Sequence, residues 1–288
     1  EPEKTAGRGL AKGNPPLEFQ TALPMEGKNE SERVSKIKET AILMDKKWGG
    51  KKAKPIPIMP AIINFGTVET DDIAVGLTSK DVEPIGISFT GQHHIIISGK
   101  PMSGKSNLLK VITKQMKANT IVFDTGTALK SIEGICDQYI TDVAEFDQFI
   151  SDMVPILQQR KDEYYKDNSI QFTPFLILID DLKQCFALIK DETAKRMEAI
   201  IRLGKGLNVN LLVAGNSDDV AKLYNQGEPF TMGLVNSQTN ILLGGSFRDH
   251  NVFKANIPYS EQEVLLDEYE GYVIHREKAL RFKAMYEL

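Results

Sequence analysis

The stretch HHIIISGKPMSGKSNLLKVI, residues 93–112, joins a short apolar run to a periodic apolar run through a segment rich in Gly, Ser and Lys. The run of Ile95, Ile96 and Ile97 is typical of a buried strand, whereas the apolar positions after Ser106 recur at helical spacing. A strand that leads through a glycine-rich turn into a helix is a recurring unit of parallel sheets. The stretch therefore predicts an α/β fold with this turn at one edge of the sheet.

The rest of the chain favours the same fold class, because strand-like and helix-like runs alternate from about residue 56 onward. The strand candidates are 73–77, 85–89, 94–98, 120–124, 175–179, 209–214 and 240–243. The helix candidates are 104–117, 144–166, 193–204 and 218–225. Short continuous runs of Ile, Leu and Val between helices predict a mainly parallel sheet with helices on both faces. The last run, GYVIHREKALRFKAMYEL, predicts a hairpin with its turn at Glu277–Lys278, on the edge of the sheet.

The first sixth of the chain has a different pattern. Residues 1–28 are rich in Gly, Pro and Lys without periodicity, which indicates an extended strap. Apolar spacing between Asn29 and Trp48 predicts an amphipathic helix, and a proline-punctuated linker follows it. We therefore expect an N-terminal strap, helix and linker (1–58) that packs on a core of residues 59–288.

Composition and apolar patterning disfavour several classes of protein. A net charge of −4 disfavours a dedicated nucleic-acid-binding protein, which carries a basic stripe. No apolar run reaches the roughly 18 residues that cross a bilayer, and no signal peptide is recognisable. Cys136 and Cys185 fit neither zinc nor disulfide spacing, so we expect reduced thiols. Because the chain begins with Glu1 rather than Met, we expect a segment of a longer protein.

Residues 99–106, GKPMSGKS, match the phosphate-loop pattern G-x-x-x-x-G-K-[ST]. Glycines at these positions let main-chain amides turn towards phosphate oxygens, and the following helix directs its positive end at them. Lys105 would bridge the β- and γ-phosphates, and Ser106 would offer its hydroxyl to Mg²⁺. The alternative is an ordinary strand-to-helix turn. The motif predicts that ATP and Mg²⁺ bind at Gly99, Lys100, Pro101, Met102, Ser103, Gly104, Lys105, Ser106 and Asn107.

A carboxylate at the end of a second buried strand is the other element that this chemistry requires. The run PFLILIDDL places Asp180 at a strand's carboxyl end, the edge where ligands bind in a parallel sheet. We expect Asp180 to reach Mg²⁺ through water. Asp181 is the candidate that would position the attacking water, but it is one methylene shorter than the Glu found in many ATPases. Misplacement by about 1 Å can cost on the order of a hundredfold in rate, so two interpretations stay open, a weak catalytic base or a vestige.

With both motifs in place, the chain resembles the FtsK/SpoIIIE family of RecA-like motor ATPases over most of residues 70–250. The resemblance rests on VGLTSKDVEPIGISFTGQHHIIISGKPMSGKSNLL and RLGKGLNVNLLVAGNS. The segments RGLAKGNPPLEFQTALP and AKPIPIMP, with the helix to Trp48, further resemble ATPase modules of EssC/EccC proteins. Those are membrane-anchored motors of type VII (ESX) secretion with several modules in tandem. The resemblance implies a RecA-like P-loop NTPase fold and a single module, most like the C-terminal one.

The resemblance also implies partners and a location. The partners would be neighbouring ATPase modules of the same polypeptide and secreted proteins that carry a C-terminal signal or helix. Ring-like assembly is expected, in a cytoplasmic domain of a membrane-anchored protein, without direct membrane contact and without nucleic acid.

Two departures from the family's pattern concern hydrolysis. DNA-pumping members have Glu where this chain has Asp181. Their Ala-Thr-Gln at a later strand end is Ala214, Gly215 and Asn216 here. Asn216 can still donate to a phosphate, but from a shorter arm. We expect ATP binding with weak hydrolysis by Lys105, Asp181 and Asn216. The alternatives are a scaffold or substrate receptor without useful ATPase activity and, less favoured, a DNA translocase.

Four further side chains invite functional interpretations. Arg202 and Arg248 are candidates, by position only, for an arginine that reaches a neighbour's γ-phosphate, and the alternative is a surface arginine. His93 and His94 form a pair at the start of a strand, and no third ligand has suitable spacing for a metal.

Two kinds of surface could serve binding. The basic residues Lys51, Lys52 and Lys54 could touch acidic lipid or a neighbouring domain, although a solvated linker is favoured. The runs EPFTMGLV and EAIIRLGKGL are typical of core, but part of their surface could form a groove for a substrate's amphipathic helix.

Overall fold

The structure is a computed structural model that describes residues 7–50 and 55–287. The chain forms two compact units, Glu1–Ile56 and Pro57–Leu288. The packing of the strap, helix and linker on the core stays a prediction. Lys51, Lys52 and Lys54 lie outside the described residues.

The described part of the first unit contains a hairpin and a helix. Strands β1 (Arg8–Ala11) and β2 (Leu17–Gln20) pair antiparallel, so part of the predicted strap is a two-stranded ribbon. Helix α1 (Glu30–Lys47) agrees with the predicted helix to within a residue at each end. It begins where the Asn29 side chain accepts a hydrogen bond from the Glu32 amide. No residue of α1 is buried.

A ten-stranded sheet forms the frame of the second unit. Its strands are β3 (Ile73–Thr78), β4 (Pro84–Ile87), β5 (His94–Gly99), β6 (Asn119–Phe123), β7 (Gln138–Ile140), β8 (Phe175–Ile179), β9 (Val209–Asn216), β10 (Thr239–Gly245), β11 (Leu266–His275) and β12 (Lys278–Ala284). Its α-helices are α2 (Lys105–Gln115), α3 (Val143–Lys166), α4 (Leu182–Leu188), α5 (Asp191–Leu203), α6 (Ser217–Asn225), α7 (Pro229–Val235) and α8 (Tyr259–Gln262). Lys130–Ile135 and Phe247–His250 are 3₁₀ helices.

The sheet has a parallel part and an antiparallel part. The spatial order is β4-β3-β12-β11-β10-β5-β9-β8-β6-β7. The six strands from β10 to β7 run parallel, and the remaining strands are each antiparallel to their neighbours. The carboxyl ends of the parallel strands therefore meet at one edge of the sheet. The predicted α/β fold with a large, mostly parallel sheet is confirmed.

Apolar residues cover both faces of this sheet. Ile95 and Ile97 of β5 pack in one cluster with Leu108 of α2, and Ile96 points into the opposite cluster with Phe146 of α3. All five residues are fully buried. Burial of an aliphatic side chain stabilises a fold by roughly 1.5–3 kcal/mol, so the strand before the glycine-rich turn is anchored on both sides.

The position of the C-terminal hairpin was predicted wrongly. The hairpin forms as β11 and β12, but β3 pairs with the free side of β12, and β4 is the edge strand. The turn residues are Arg276 and Glu277, both with positive φ, instead of Glu277 and Lys278. Two left-handed residues suit a two-residue hairpin turn. The strands that cover the hairpin come from much earlier in the chain, and hairpin patterning carries no information about such a pairing.

Several short elements were absent from the predicted set, namely β7, α4, α7 and α8. They have three to seven residues each, which is too short for a helical or alternating period to be recognised. No helix in the described part of the chain is long and apolar enough to cross a membrane.

Candidate functional site

The turn between β5 and α2 contains two residues in the left-handed conformation, a feature that it shares with anion-binding loops. Met102 and Gly104 have φ of 60° and 96°, both in the left-handed region, and helix α2 begins at Lys105. Alternation of right- and left-handed residues turns successive main-chain amides towards one side. The Met102 side chain is 87% exposed. Ser103 Oγ is buried and has no hydrogen-bond partner among the described residues.

Lys105 lies inside this loop. Its Nζ donates to the carbonyl oxygens of Gly99 (3.2 Å) and Lys100 (2.8 Å) and to Asn216 Oδ1 (3.1 Å). No carboxylate lies within ion-pair distance of this ammonium group in the described part of the chain. Burial lowers the pKa of Lys105, opposed by the charges of Asp180 and Asp181. A half-buried ammonium group whose partners are neutral oxygens is suited to an incoming anion.

Ser106 and Asp180, which the sequence assigns to Mg²⁺, are in direct contact. Ser106 Oγ donates to Asp180 Oδ1 at 2.8 Å. Burial raises the pKa of Asp180 to about 6, and the neighbouring carboxylates Asp124 and Asp181 add to this effect. Mg²⁺ prefers oxygen ligands and is usually bound through one or two protein groups together with phosphate. The two oxygen ligands, from Ser106 and Asp180, and the negative charge around Asp180 fit Mg²⁺.

The residue after Asp180 has a different contact. Asp181 is the N-cap of α4, and its Oδ1 accepts a hydrogen bond from the Gln184 amide at 3.0 Å. This bond satisfies one of the free amides of the first helical turn. One oxygen of the Asp181 carboxylate, the group that would position an attacking water, is therefore engaged in a structural hydrogen bond. The other hydrolytic candidate, Asn216, accepts a hydrogen bond from Lys105.

Two predicted binding residues use their side chains for other contacts. Lys100 Nζ forms ion pairs with Asp218 (3.1 Å) and Asp249 (3.3 Å). The Asn107 side chain donates to the Met285 carbonyl and accepts from the Glu287 amide, both at 2.8 Å. Both side chains are therefore engaged, and the Lys100 amide also donates to the Leu243 carbonyl at 3.1 Å. Pro101 is exposed.

Sequence reasoning missed three residues at this site. Asp124 follows β6 and contributes to the raised pKa of Asp180. Tyr269 contacts the phosphate loop, because a Cβ atom on Gly104 would stand 2.5 Å from Tyr269 Cδ1. Glu268 lines the pocket in front of the loop. Asp124 could have been found as a carboxylate directly after a buried strand, whereas Tyr269 and Glu268 lie in an irregular part of β11 that has no sequence signature.

The remaining candidates are not at this site. Arg248 pairs with Glu263 at 2.7 Å, and its guanidinium lies 5.3 Å from the centre of the Tyr259 ring. Arg202 is exposed on α5. A role for either as an arginine that reaches a neighbouring subunit stays a prediction.

The paired histidines have structural contacts. His93 Nε2 bonds the Ile201 carbonyl at 2.6 Å, and His94 Nε2 bonds the Gly233 carbonyl at 3.1 Å. Burial lowers the pKa of both rings, to about 4 for His94. Both rings are therefore neutral near pH 7.

The runs considered for a substrate groove are partly buried. Ile200, Phe230 and Leu234 are fully buried, whereas Met232 is 37% exposed. Cys185 is also buried and Cys136 is half-buried, and both are free thiols.

The chain is similar to two curated proteins, although no protein-family model matches it. It is 24% identical over 284 residues to the ESX secretion system protein EccC of Geobacillus thermodenitrificans, across 90% of this chain and 19% of that protein. It is 29% identical over 119 residues to the EccC of Thermomonospora curvata, across 39% of this chain and 9% of that protein. The chain therefore spans less than a fifth of the length of either relative.

Solved structures of EssC and EccC proteins share its fold. The EssC structure with ATPases 2 and 3 from Geobacillus thermodenitrificans has a TM-score of 0.69 and 21% identity, over 99% of this chain and 56% of that one. The Thermomonospora curvata EccC structure with ATPases 2 and 3 and a signal sequence peptide has a TM-score of 0.70 and 18% identity, over 100% of this chain and 54% of that one. In sequence and in fold, the chain resembles the ATPase modules of EssC and EccC proteins.

Proposed function

We propose that the chain binds Mg·ATP at the phosphate loop and acts as one module of a type VII secretion motor, in which nucleotide binding and slow hydrolysis are coupled to protein export. The observation that carries this proposal is the 2.8 Å hydrogen bond between Ser106 and Asp180. It joins two motifs that lie more than seventy positions apart in the sequence. A coincidental strand-to-helix turn has no reason to meet the acidic end of a second strand.

Each side chain at this edge has a distinct part in the proposal. Lys105 and main-chain amides of the loop hold the phosphates, and Ser106 with Asp180 holds Mg²⁺. The bound ion supplies charge neutralisation at the phosphoryl oxygens. Lys105 places a positive charge where negative charge develops during transfer, which is the main catalytic device in such reactions.

Hydrolysis is proposed to be slow because of Asp181 and Asn216. Asp181 positions the attacking water only with an oxygen that is not needed for the α4 cap. Asn216 already has Lys105 as its partner, and its arm is shorter than that of the Gln in DNA-pumping relatives. Both features affect the attack of water and leave phosphate binding intact.

The partners are proposed from the relatives. The EssC and EccC structures contain more than one ATPase, and one of them is described in complex with a signal sequence peptide. We infer that this module adjoins other ATPase modules of its own polypeptide in a ring-like, membrane-anchored motor. We also infer that it recognises the C-terminal signal or helix of a secreted protein. The burial of Ile200, Phe230 and Leu234 gives no support for a groove on those runs.

A second function is favoured by the two hydrolytic positions. With Asp181 serving as a helix cap and Asn216 bonded to Lys105, the module could bind nucleotide as a scaffold or substrate receptor and release no phosphate at a useful rate. Nucleotide would then change the docking of neighbouring modules through binding alone.

Calorimetry of the chain and of Lys105→Ala with Mg·ATP tests the proposal. We expect binding to the native chain and a loss of at least tenfold in Lys105→Ala, because a charge-assisted bond to phosphate is removed. Absence of binding to the folded native chain would refute the proposal.

A measurement of phosphate release then separates the motor function from the scaffold function. Slow release that requires Lys105 supports the motor, and binding without release supports the scaffold. Equal release by both proteins indicates a contaminant.

A further inference from the structure

A second, mostly apolar pocket lies beside the phosphate loop. It has a volume of about 240 Å³, and its walls include Ile62, Tyr269, Lys283 and Tyr286. The two tyrosines are half-buried, and Ile62 is 62% exposed at the rim. Two aromatic rings beside an exposed aliphatic side chain are not explained by the phosphate chemistry of the loop.

The first tyrosine is fixed to the loop by an irregularity in the sheet. The pairing of β10 with β11 shifts between Leu243 and Gly245, and Tyr269 lies in the extra length of β11 with φ of 64°. Its amide donates to the Ser103 carbonyl at 3.2 Å. A non-glycine residue at positive φ is strained, and a bulge of this kind redirects a side chain. Here it directs the ring of Tyr269 against Gly104.

The second tyrosine is fixed to the same loop by an independent contact. Asn107 lies in the first turn of α2, and its side chain bonds the main chain on both sides of Tyr286, at Met285 and Glu287. Glu287 also pairs with Lys114 of the same helix. The position of Tyr286 is therefore set by the helix that follows the phosphate loop.

The rings form a corner and not a stack. Their centres are 5.4 Å apart, and their planes meet at 71°. A flat ligand can lay its face on one ring while its edge meets the other, with Ile62 covering the open side. Lys283 donates to the Pro60 and Ala61 carbonyls at 3.3 Å and 2.6 Å. Its ammonium group is therefore engaged, and its aliphatic stem is left to line the pocket.

We propose that this pocket holds the purine base of the nucleotide whose phosphates occupy the loop. The proposal rests on the function proposed above and adds the base-binding residues Tyr269, Tyr286 and Ile62. A base joined through its sugar to phosphates at the start of α2 has to lie near that helix. Tyr269 lies against Gly104, directly before α2, and Tyr286 is held beside Tyr269 by the bonds of Asn107 to its two neighbours in the chain. Aromatic rings stack on any base, and a purine gains more binding free energy from stacking than a pyrimidine because its surface is larger.

The test compares ligands with and without a base. Calorimetry measures the affinity of Mg·ATP and of Mg²⁺ with inorganic tripolyphosphate for the native chain and for Tyr286→Ala, Tyr286→Phe and Ile62→Ala. Loss of a stacking ring is expected to weaken ATP by about tenfold or more and to leave tripolyphosphate unchanged. Tyr286→Phe retains the ring and should retain native affinity. Tyr165→Ala, at an exposed tyrosine on α3, is the matched control.

The outcomes separate this inference from the proposed function. If neither ligand binds the native chain, the proposed function fails. If ATP binds Tyr286→Ala and Ile62→Ala as tightly as the native chain, the base pocket is wrong while the proposed function stands. If Tyr286→Ala does not fold by circular dichroism, Ile62→Ala and the ratio of Mg·ATP to Mg·CTP affinity on the native chain decide. Equal affinity for the two nucleotides overturns the inference.

Discussion

The residues proposed to hold phosphate and Mg²⁺ lie at the same edge of the sheet as those proposed to position water, but the two sets have different hydrogen-bond partners. Ser106 is bonded to Asp180, and Lys105 is bonded mainly to loop carbonyls. Asp181, the next residue along the chain, is bonded to the first turn of α4. Ser106 and Asp180 therefore contact each other, whereas Asp181 is bonded to the following helix and Asn216 is bonded to Lys105.

Asp180 and Asp181 show how adjacent carboxylates acquire different properties. Asp180 directly follows a buried strand, and burial raises its pKa to about 6. Asp181 lies one residue further, at the start of a helix whose free amides attract a carboxylate. Chemistry at this edge is therefore decided by whether a residue belongs to the strand or to the following helix. The following predictions test that distinction.

The largest effect on stability is expected at Asp180. Its pKa is about 6 in the folded protein against an ordinary value of 3.8, so the folded state binds protons more readily than the unfolded state. Its charge therefore destabilises the fold above about pH 6, and the penalty disappears as the pH falls below about 4. Asp180→Asn should raise the free energy of unfolding at pH 7 by about 2–3 kcal/mol, measured by urea titration without nucleotide.

The pH profile is the control for this prediction. The native chain should gain stability relative to Asp180→Asn between pH 7 and pH 4, because only the native chain takes up this proton. Parallel profiles for the two proteins would show that Asp180 is not under electrostatic strain. Asp180→Asn should also lose Mg²⁺-dependent binding of ATP.

The contact between Gly104 and Tyr269 comes next in size. Gly104→Ala adds a Cβ atom 2.5 Å from the tyrosine ring at a backbone φ of 96°. Both the left-handed backbone and the clash oppose it, so we expect a loss of about 2 kcal/mol or more in the free energy of unfolding, together with weaker binding of Mg·ATP.

Gly227→Ala is the matched control, because Gly227 has φ of 77° and nothing within 4 Å of an added Cβ. It should cost only the backbone term of about 1 kcal/mol and leave nucleotide affinity unchanged. Equal losses of stability and affinity in the two variants would mean that Tyr269 does not constrain the loop.

Asp181 allows capping and catalysis to be separated. Asp181→Ala removes the helix cap and should cost about 1 kcal/mol of stability, whereas Asp181→Asn keeps an acceptor of similar capping strength. Both should reduce phosphate release if the carboxylate positions water. Thermal unfolding and single-turnover assays measure the two effects. Unchanged release in Asp181→Asn would assign Asp181 to the cap alone and favour the scaffold function.

The smallest effect is expected at Lys100. Its ion pairs with Asp218 and Asp249 are partly exposed, and such pairs contribute about 0–1 kcal/mol. Lys100→Ala should change Mg·ATP affinity by less than about threefold, measured by calorimetry beside Lys105→Ala. A loss comparable to that of Lys105→Ala would show that the Lys100 side chain leaves its carboxylates and binds phosphate.

Sequence predicts the parallel part of this molecule well and the antiparallel part poorly. The strand of Ile95 to Ile97, the loop after it and Asp180 follow from local apolar runs and from spacing, because each is determined by neighbours in the chain. The pairing of β12 with β3 and the contact of Tyr269 with Gly104 join segments that are far apart in sequence. No local pattern encodes them.

The hydrolytic residues show a second limit. Asp181 is one methylene shorter than the Glu of many ATPases, and the weak hydrolysis inferred from this difference stays a prediction. The helix that begins at Leu182 was not predicted, so the capping bond that competes for the same carboxylate was not expected either. The chemistry of a residue thus depends on the hydrogen bonds that it makes with the following element. Short elements such as α4 are the hardest to recognise in a sequence.

The central place of β5 has a consequence for how the site comes into existence. Its partners are β9 and β10, with Leu211 opposite His94 and Asn240 opposite Ile96. Since these pairings close very long loops, which form slowly, we expect the phosphate loop to acquire its shape late in folding. Amide hydrogens of β5 should accordingly exchange only through unfolding of the whole second unit. A ligand in the loop would then slow exchange across that entire unit, far beyond the residues it touches.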